Sequence, residues 1–484
     1  MNSEKPNILF ITMDQLRYDA LGVTSGGRVK TPNIDRLASE GVLCEKFFVH
    51  SPMCQPSRAS IITGRYPRVT GVRWNWYNLP DDPNLARMLD ASGYHTMAIG
   101  KMHFTPIEDN HGFKDRVYVE GKMFSDYDEY RTMLGSKGLD GRYFEHVKRW
   151  NNVDNFGAEV FPLGDENYVD SFIGARGVEL IASCGDDPFF AWFSFCNPHM
   201  PFDPPDSVAD MYDPDDMEIP PDFYRSQTMR WPEYRTSSGQ QDFSLLTEEK
   251  LARIKAYYYA TISLVDREIG RLLDTLERKG VLDETVIFFF ADHGEMLGNR
   301  GVLWKGRMLY DHITHVPLIV RYPREYGGGQ IVSDMLQAVD LVPTVLDFCG
   351  VDGHIGLQGQ SFRRLLAKEQ VPWRDWAFAE SLNMKMLRTH DWKLIHYGSK
   401  PYGELYNLAE DPLELDNLYE DPGWREKRFE LTRRLADVLI ETEDQLPGPA
   451  TGTAYEGLSG HHPAQEYGGR DPDTYAYGSR RSPR

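Results

Sequence analysis

Short, almost unbroken apolar runs recur along the chain: NILFITM at Asn7–Met13, HTMAIG at His95–Gly100, FFAWFSF at Phe189–Phe195, VIFFFA at Val286–Ala291 and PLIVRY at Pro317–Tyr322. A strand that is apolar at consecutive positions leaves no face for water, so it must be covered on both sides. Between these runs lie stretches of helical period: Thr31–Glu40, Asn84–Ala91, Asn167–Ala182, the long Glu248–Lys279, and Ala338–Phe348. Alternation of this kind predicts an α/β fold with a large, mostly parallel sheet flanked by helices. The chain has 484 residues, 41% of them hydrophobic, enough for one large domain and a smaller one.

Near Gln370 the texture changes. AFAES, MKMLRTH, WKLIHYG and ELYNL, within Trp376–Leu418, read as a small antiparallel sheet, and Trp424–Glu443 reads as a helix behind it. The expected organisation is a catalytic domain at 1–370, a small C-terminal subdomain at 371–447 and a tail at 448–484. The tail is rich in Gly, Pro, Tyr and Arg and has no period. Its tyrosines and terminal arginines suit an arm that docks on another copy of an acidic chain, giving a dimer or tetramer; a frayed tail is the alternative. The polar, Pro-rich stretch 201–244 reads as a long loop layer near the site.

With 53 basic against 73 acidic side chains the net charge is −20. That field disfavours nucleic acid and anionic membranes as partners, while leaving room for a local basic pocket. The cysteines, Cys44, Cys54, Cys184, Cys196 and Cys349, are few, odd in number and without a CxxC pair, which suits a reducing compartment. MNSEKPNILFITMD has no long apolar leader, so a cytoplasmic location is expected.

In open α/β sheets ligands bind beyond the carboxyl ends of the strands. Here those ends run into Asp14-Gln15, Lys101 and His103, His199, and Asp292-His293, with Lys305 one short loop later. Any one of these could be an ordinary loop residue. Together, Asp14, Gln15, Asp292 and His293 offer oxygen and imidazole ligands suited to Ca²⁺, Mg²⁺ or Mn²⁺, and no thiolate cluster argues for zinc. Lys101, His103, His199 and Lys305 add cationic or proton-donating groups, as a tetrahedral sulfate or phosphate requires.

The segment SPMCQPSRASIITGRYP raises a separate question. Pro56 suits a helix's first turn and Gly64 its C-terminus, so Cys54 is predicted at or just before a helix N-terminus, where anions are favoured. A low-pKa thiolate and a simple buried cysteine are both compatible with that position. Trp74 and Trp76, in GVRWNWYN just beyond, either line a substrate pocket or pack inside. Tyr257, Tyr258 and Tyr259 are read as helix packing, and His315 as orienting a loop.

CQPSR followed by Thr63-Gly64-Arg65 resembles the motif of type I sulfatases, members of the alkaline-phosphatase-like superfamily. KPNILFITMDQ, TPNIDRLASEGV, GYHTMAIGKMHF, NPHMPF, FFADHGEMLG, VPLIVRYP and ELYNLAEDPLELDNL extend the resemblance over nearly the whole chain. It implies an alkaline-phosphatase-like fold and a sulfuric ester hydrolase acting on a small sulfate ester. It further implies that a separate maturation enzyme oxidises Cys54 to Cα-formylglycine. The hydrated aldehyde then attacks sulfur through one hydroxyl and expels the alcohol, and its other hydroxyl collapses to release sulfate. By the same resemblance Arg58 and Lys101 steady the diol and His103 assists its collapse. His199 and Lys305 bind sulfate and protonate the leaving oxygen. Asp14, Gln15, Asp292 and His293 hold one divalent ion with residue 54, Ca²⁺ being expected and Mg²⁺ or Mn²⁺ the alternatives. Many arylsulfatases have Asp where this chain has Gln15 and Asn where it has His293, which brings it nearer the choline-sulfatase and phosphonate-monoester-hydrolase branches. Hydrolysis of phosphonate monoesters or phosphodiesters at the same site is therefore the alternative activity, although Lys101 and His103 match the sulfatase GK-x-H motif. A noncatalytic anion-binding homologue is a third reading.

Overall fold

The computed structural model describes residues 5–81, 83–121, 128–149, 155–228, 243–354 and 356–444. Its centre is a nine-stranded sheet. The strands are β1 (Asn7–Asp14), β2 (Val42–Phe48), β3 (His95–Gly100), β4 (Asp115–Tyr118), β5 (Phe189–Pro198), β6 (Thr285–Ala291), β7 (His315–Arg321), β8 (Gln330–Val332) and β9 (Leu336–Gln337). The spatial order is β4-β3-β5-β1-β6-β7-β2-β8, with β9 also on β2. The block from β4 to β6 is parallel throughout, and β7 runs antiparallel to both β6 and β2. Parallel neighbours share one carboxyl end, so the loops after β1, β3, β5 and β6 open on the same side.

Continuous hydrophobicity makes these strands central. β1 and β6 are buried at every position, as is β5. Phe10 of β1 meets Phe190, Trp192, Phe288 and Phe290 edge-on at ring separations of 5.1–5.9 Å, so aromatic side chains from three adjacent strands interlock on one face. The long helix Glu248–Lys279 covers the sheet with Ile254, Tyr258, Ile262, Val265, Ile269, Leu272 and Leu276. It starts at Thr247, whose side chain accepts from Lys250 N–H, and stops at Gly280 in the left-handed conformation.

β2 was not anticipated. Glu45 and Lys46 interrupt its apolar run, and the pairing with β7 shifts register between Cys44 and Phe47, so the two charged residues sit in a bulge. Ala338–Phe348 also divides, into a 3-10 turn at Ala338–Asp340 and an α-helix at Leu341–Cys349. The second sheet is antiparallel, β10 (Trp376–Ser381), β11 (Met384–Thr389), β12 (Trp392–Tyr397) and β13 (Gly403–Asn407). The helix Arg425–Glu441 packs Leu431, Leu435 and Val438 on Phe378, Leu387, Leu394 and Leu405. The 448–484 arm lies outside the described residues. Among the described residues no helix is long and apolar enough to cross a membrane.

Candidate active site

All ten residues singled out at the strand ends and on the CQPSR segment converge at the carboxyl edge of the main sheet. Asp14 ends β1, and Gln15 follows with a φ of 68°. Lys101 follows β3 directly, and its N–H donates to the Ser194 carbonyl of β5 at 2.9 Å. The preceding Gly100 has a φ of 95°, and a Cβ there would stand 2.1 Å from that same carbonyl oxygen, so only glycine lets the two strands close behind Lys101. Asp292 and His293 follow β6, and His199 follows β5.

The CQPSR segment forms the helix Cys54–Thr63, buried at all ten positions, with Gly64 as a left-handed cap. Cys54 is its first residue, so the helix points its positive end at the site. Ser57 Oγ donates to the Asp292 carbonyl at 2.5 Å and pins the helix to the end of β6. Arg58, one turn in, donates from Nε to Asp292 Oδ2 at 2.7 Å, lies 3.7 Å from Asp14 Oδ2 and donates to Ser194 Oγ at 2.7 Å. Fully buried, it ties both carboxylates to one cation.

The Cys54 sulfur is the hub. Lys305 Nζ lies 2.9 Å away, His293 Nε2 3.1 Å and Asp14 Oδ1 3.8 Å, and His103 and His199 also face it. Lys305 Nζ also reaches Gln15 Oε1 and His293 Nε2, each at 3.1 Å, and Lys101 Nζ is ion-paired with Asp14 Oδ2. Burial disfavours a thiolate, but Lys305, Lys101 and His293 hold the Cys54 thiol well below its ordinary value. Burial and the Cys54 sulfur push the Asp14 carboxyl up, yet Lys101, His199 and Arg58 hold it well below the usual carboxylate range. Burial, with Lys305 next, pushes His199 down to about 3. Its Nδ1 sits 2.8 Å from the Met200 carbonyl, which leaves Nε2 for the site. The pocket is thus a largely buried concentration of positive charge around one small atom, a setting for an oxyanion.

The donor set also fits a divalent cation. Single ligand atoms of Asp14, Cys54, Asp292 and His293 all lie within 4.8 Å of one another, and all four residues are buried. His293 Nδ1 is turned to the Gly294 carbonyl at 2.9 Å, fixing Nε2 as the ligand atom. Gln15 N–H donates to Asp292 Oδ1 at 3.1 Å.

Three supporting residues escaped the sequence reading. Glu295 binds the Gln15 amide NH₂ through Oε2, accepts from Leu297 N–H at 3.0 Å through Oε1, and so turns Gln15 Oε1 toward Lys305. Tyr258 is packed as expected, but its hydroxyl also donates to the Gln15 carbonyl at 2.8 Å and accepts from Arg17 N–H at 3.0 Å. Arg17 in turn donates to the carbonyls of Glu295 and Met296, both at 3.0 Å. Only the i to i+2 proximity of Glu295 to His293 hinted at such a role. His315 is a strand residue, its Nε2 2.7 Å from the Glu45 carbonyl. Trp76 is 55% exposed and Trp74 half-buried, so neither is a core residue.

The sulfatase family model matches residues 6–351, and a model described as N-sulphoglucosamine sulphohydrolase, C-terminal, matches residues 298–441. An arylsulfatase of Clostridium perfringens is 30% identical, covering 91% of this chain and 95% of its own. A choline-sulfatase of Rhizobium meliloti is 29% identical over 87% of this chain and 84% of its own. Among solved structures, a phosphonate monoester hydrolase of Agrobacterium radiobacter superposes with a TM-score of 0.77 at 27% identity, covering 91% of this chain and 96% of that one.

Proposed function

The chain belongs to the sulfatase family and is a sulfuric ester hydrolase; from that premise we propose that it cleaves a small sulfate monoester with residue 54 as formylglycine and one divalent cation, Ca²⁺ first. The observation that carries the reading is the buried cluster of Asp14, Asp292 and His293 around a Cys54 sulfur that Lys305 touches at 2.9 Å. The Cys54 sulfur stands where the aldehyde hydrate's oxygens would be. Once converted, position 54 supplies the nucleophilic oxygen. Asp14, Gln15, Asp292 and His293 would hold the cation, which would supply Lewis-acid charge against the ester's anionic oxygens.

The chain's own residues account for the rest. Arg58 and Lys101 hold Asp14 as the carboxylate, Arg58 also pairs with Asp292, and both present positive charge beside residue 54. Lys305 binds the sulfate oxygens and carries a proton within reach of the leaving alcohol oxygen. His199 turns Nε2 toward residue 54, and His103, which also faces residue 54, takes the proton released when the hydrate collapses. Burial of Asp14, Cys54, Arg58, Lys101, Asp292, His293 and Lys305 limits water there, which strengthens each of these interactions.

Residues 1–370 carry every one of these groups, which supports their assignment as the catalytic domain with 371–447 as a C-terminal subdomain. The arm at 448–484 is assigned to a dimer or tetramer contact, tested by mass in solution after deletion beyond Gln445. A cytoplasmic location follows from the sparse, odd cysteines and is tested by fractionation. Intact-peptide mass spectrometry on the segment with residue 54 decides the central claim: one sulfur and two hydrogens exchanged for one oxygen. An unmodified thiol in fully active enzyme overturns it. Phosphonate monoester hydrolysis is the second reading, favoured by the superposition on a phosphonate monoester hydrolase. A higher kcat/KM on a phosphonate monoester than on the matched aryl sulfate would establish it.

A further inference from the structure

Just outside the pocket, the segment after the motif helix is held in an unusual posture. Trp76 has a φ of 75°, a left-handed conformation that a bulky residue adopts only under strain. Gln55, the residue next to Cys54, holds it there. The Gln55 side chain accepts from Trp76 N–H and donates to the Tyr77 carbonyl, bracketing the strained residue from both sides. A strained aromatic residue would ordinarily be repaid by burial. Here Trp76 is 55% exposed, and its ring meets that of His103 in a T-shaped contact at 5.7 Å. The motif helix therefore fixes two things in one stroke: residue 54 on the pocket floor and an indole over its entrance.

The neighbouring Trp74 is half-buried, and the Arg307 guanidinium lies 5.1 Å from its ring centroid. Arg307 is two residues beyond Lys305 on the same loop. Trp74, with that guanidinium against its ring, lies two residues from the exposed Trp76.

The geometry points to Trp76 as the platform for the alcohol half of the ester, and to a planar-faced alcohol, such as an aryl group, as the class it selects. Stacking on an exposed indole rewards a flat partner. A compact quaternary ammonium has no flat face to lay on the ring, so the choice among aryl and choline esters falls to the aryl side. This inference rests on the sulfatase reading and names the substrate class for the same site.

The test measures kcat and KM of wild type, Trp76→Ala and Trp76→Phe on 4-nitrophenyl sulfate, ethyl sulfate and choline sulfate, each variant referred to wild type on the same ester. A stacking platform contributes about 1–3 kcal/mol, so Trp76→Ala should lose about 10- to 100-fold in kcat/KM on the aryl ester, mainly through KM. Ethyl sulfate should change less than about threefold, and Trp76→Phe should recover most of the loss on the aryl ester. Equal losses on all esters would make Trp76 a structural prop and overturn the proposal, as would no loss on any. Better turnover of choline sulfate than of the aryl ester by wild type would overturn the assigned class. If wild type cleaves no sulfate ester but does cleave phenyl phosphonate monoesters, the sulfatase reading fails; the platform is then judged by the same variants on phenyl against ethyl phosphonate monoesters.

Discussion

At the floor of the site Asp14, Arg58, Asp292 and His293 are fully buried and bound to one another, whereas at its mouth Trp76 stands in water on a strained backbone. The floor is built from strand ends and a helix start, elements that many apolar contacts hold in register. The mouth is built from loops that only a few hydrogen bonds restrain. A buried charge cannot change without leaving its partner unpaired, at a cost of several kcal/mol, while an exposed ring can be exchanged at small cost to the fold. The difference teaches that in this chain the reaction and the choice of substrate reside in parts of the molecule with separate stabilities.

The largest effect expected on the floor is that of Cys54→Ala. It removes the nucleophile's precursor and should lower turnover by on the order of 10⁴- to 10⁶-fold, with far-UV circular dichroism unchanged. Next comes Asp292→Asn, which removes a proposed cation ligand and leaves Arg58 short of its partner at 2.7 Å. Activity should fall by about 10²- to 10⁴-fold, bound metal measured by elemental analysis should drop, and the melting temperature should fall too. Full activity after exhaustive chelation, with no metal found, would break the account of the floor.

A smaller loss is expected one layer behind. Glu295→Gln places an amide NH₂ against the Gln15 NH₂, which forces the Gln15 oxygen away from Lys305. Metal affinity or activity should fall by about 10-fold, read by metal titration. The smallest is Tyr258→Phe, which deprives the Gln15 carbonyl and Arg17 N–H of one hydroxyl. It should cost about 1–3 kcal/mol in denaturant unfolding and change kcat only a few-fold. If the Tyr258 change hurts turnover more than Glu295→Gln does, the boundary between the chemistry and its scaffold is misplaced.

What could be read in the sequence follows the same division. The strands β1, β3, β5 and β6 announce themselves because burial on both faces demands unbroken apolar runs, and the polar residues at their ends stand out against that background. β2 hid because its charged pair sits in a bulge rather than on an alternating face. The ten candidate residues could be named because their types and positions suit the chemistry. Glu295, Arg17 and Tyr258 could not, since their roles are set by which carbonyl or amide the tertiary fold brings within 3 Å. The posture of Trp76 was equally hidden, for a side-chain amide on the preceding helix determines it.

The burial of Cys54, only 2% exposed at the first residue of a helix that is itself wholly enclosed, sets an order of events in biosynthesis. A maturation enzyme would find Cys54 enclosed once Arg58 is locked between Asp14 and Asp292, because those carboxylates arrive from segments some 40 residues before and some 230 after the motif. The oxidation proposed for Cys54 would therefore have to be completed on the extended chain, before β6 is in place. Folding then seals whatever residue 54 has become, so a molecule that closes too early keeps its thiol for life.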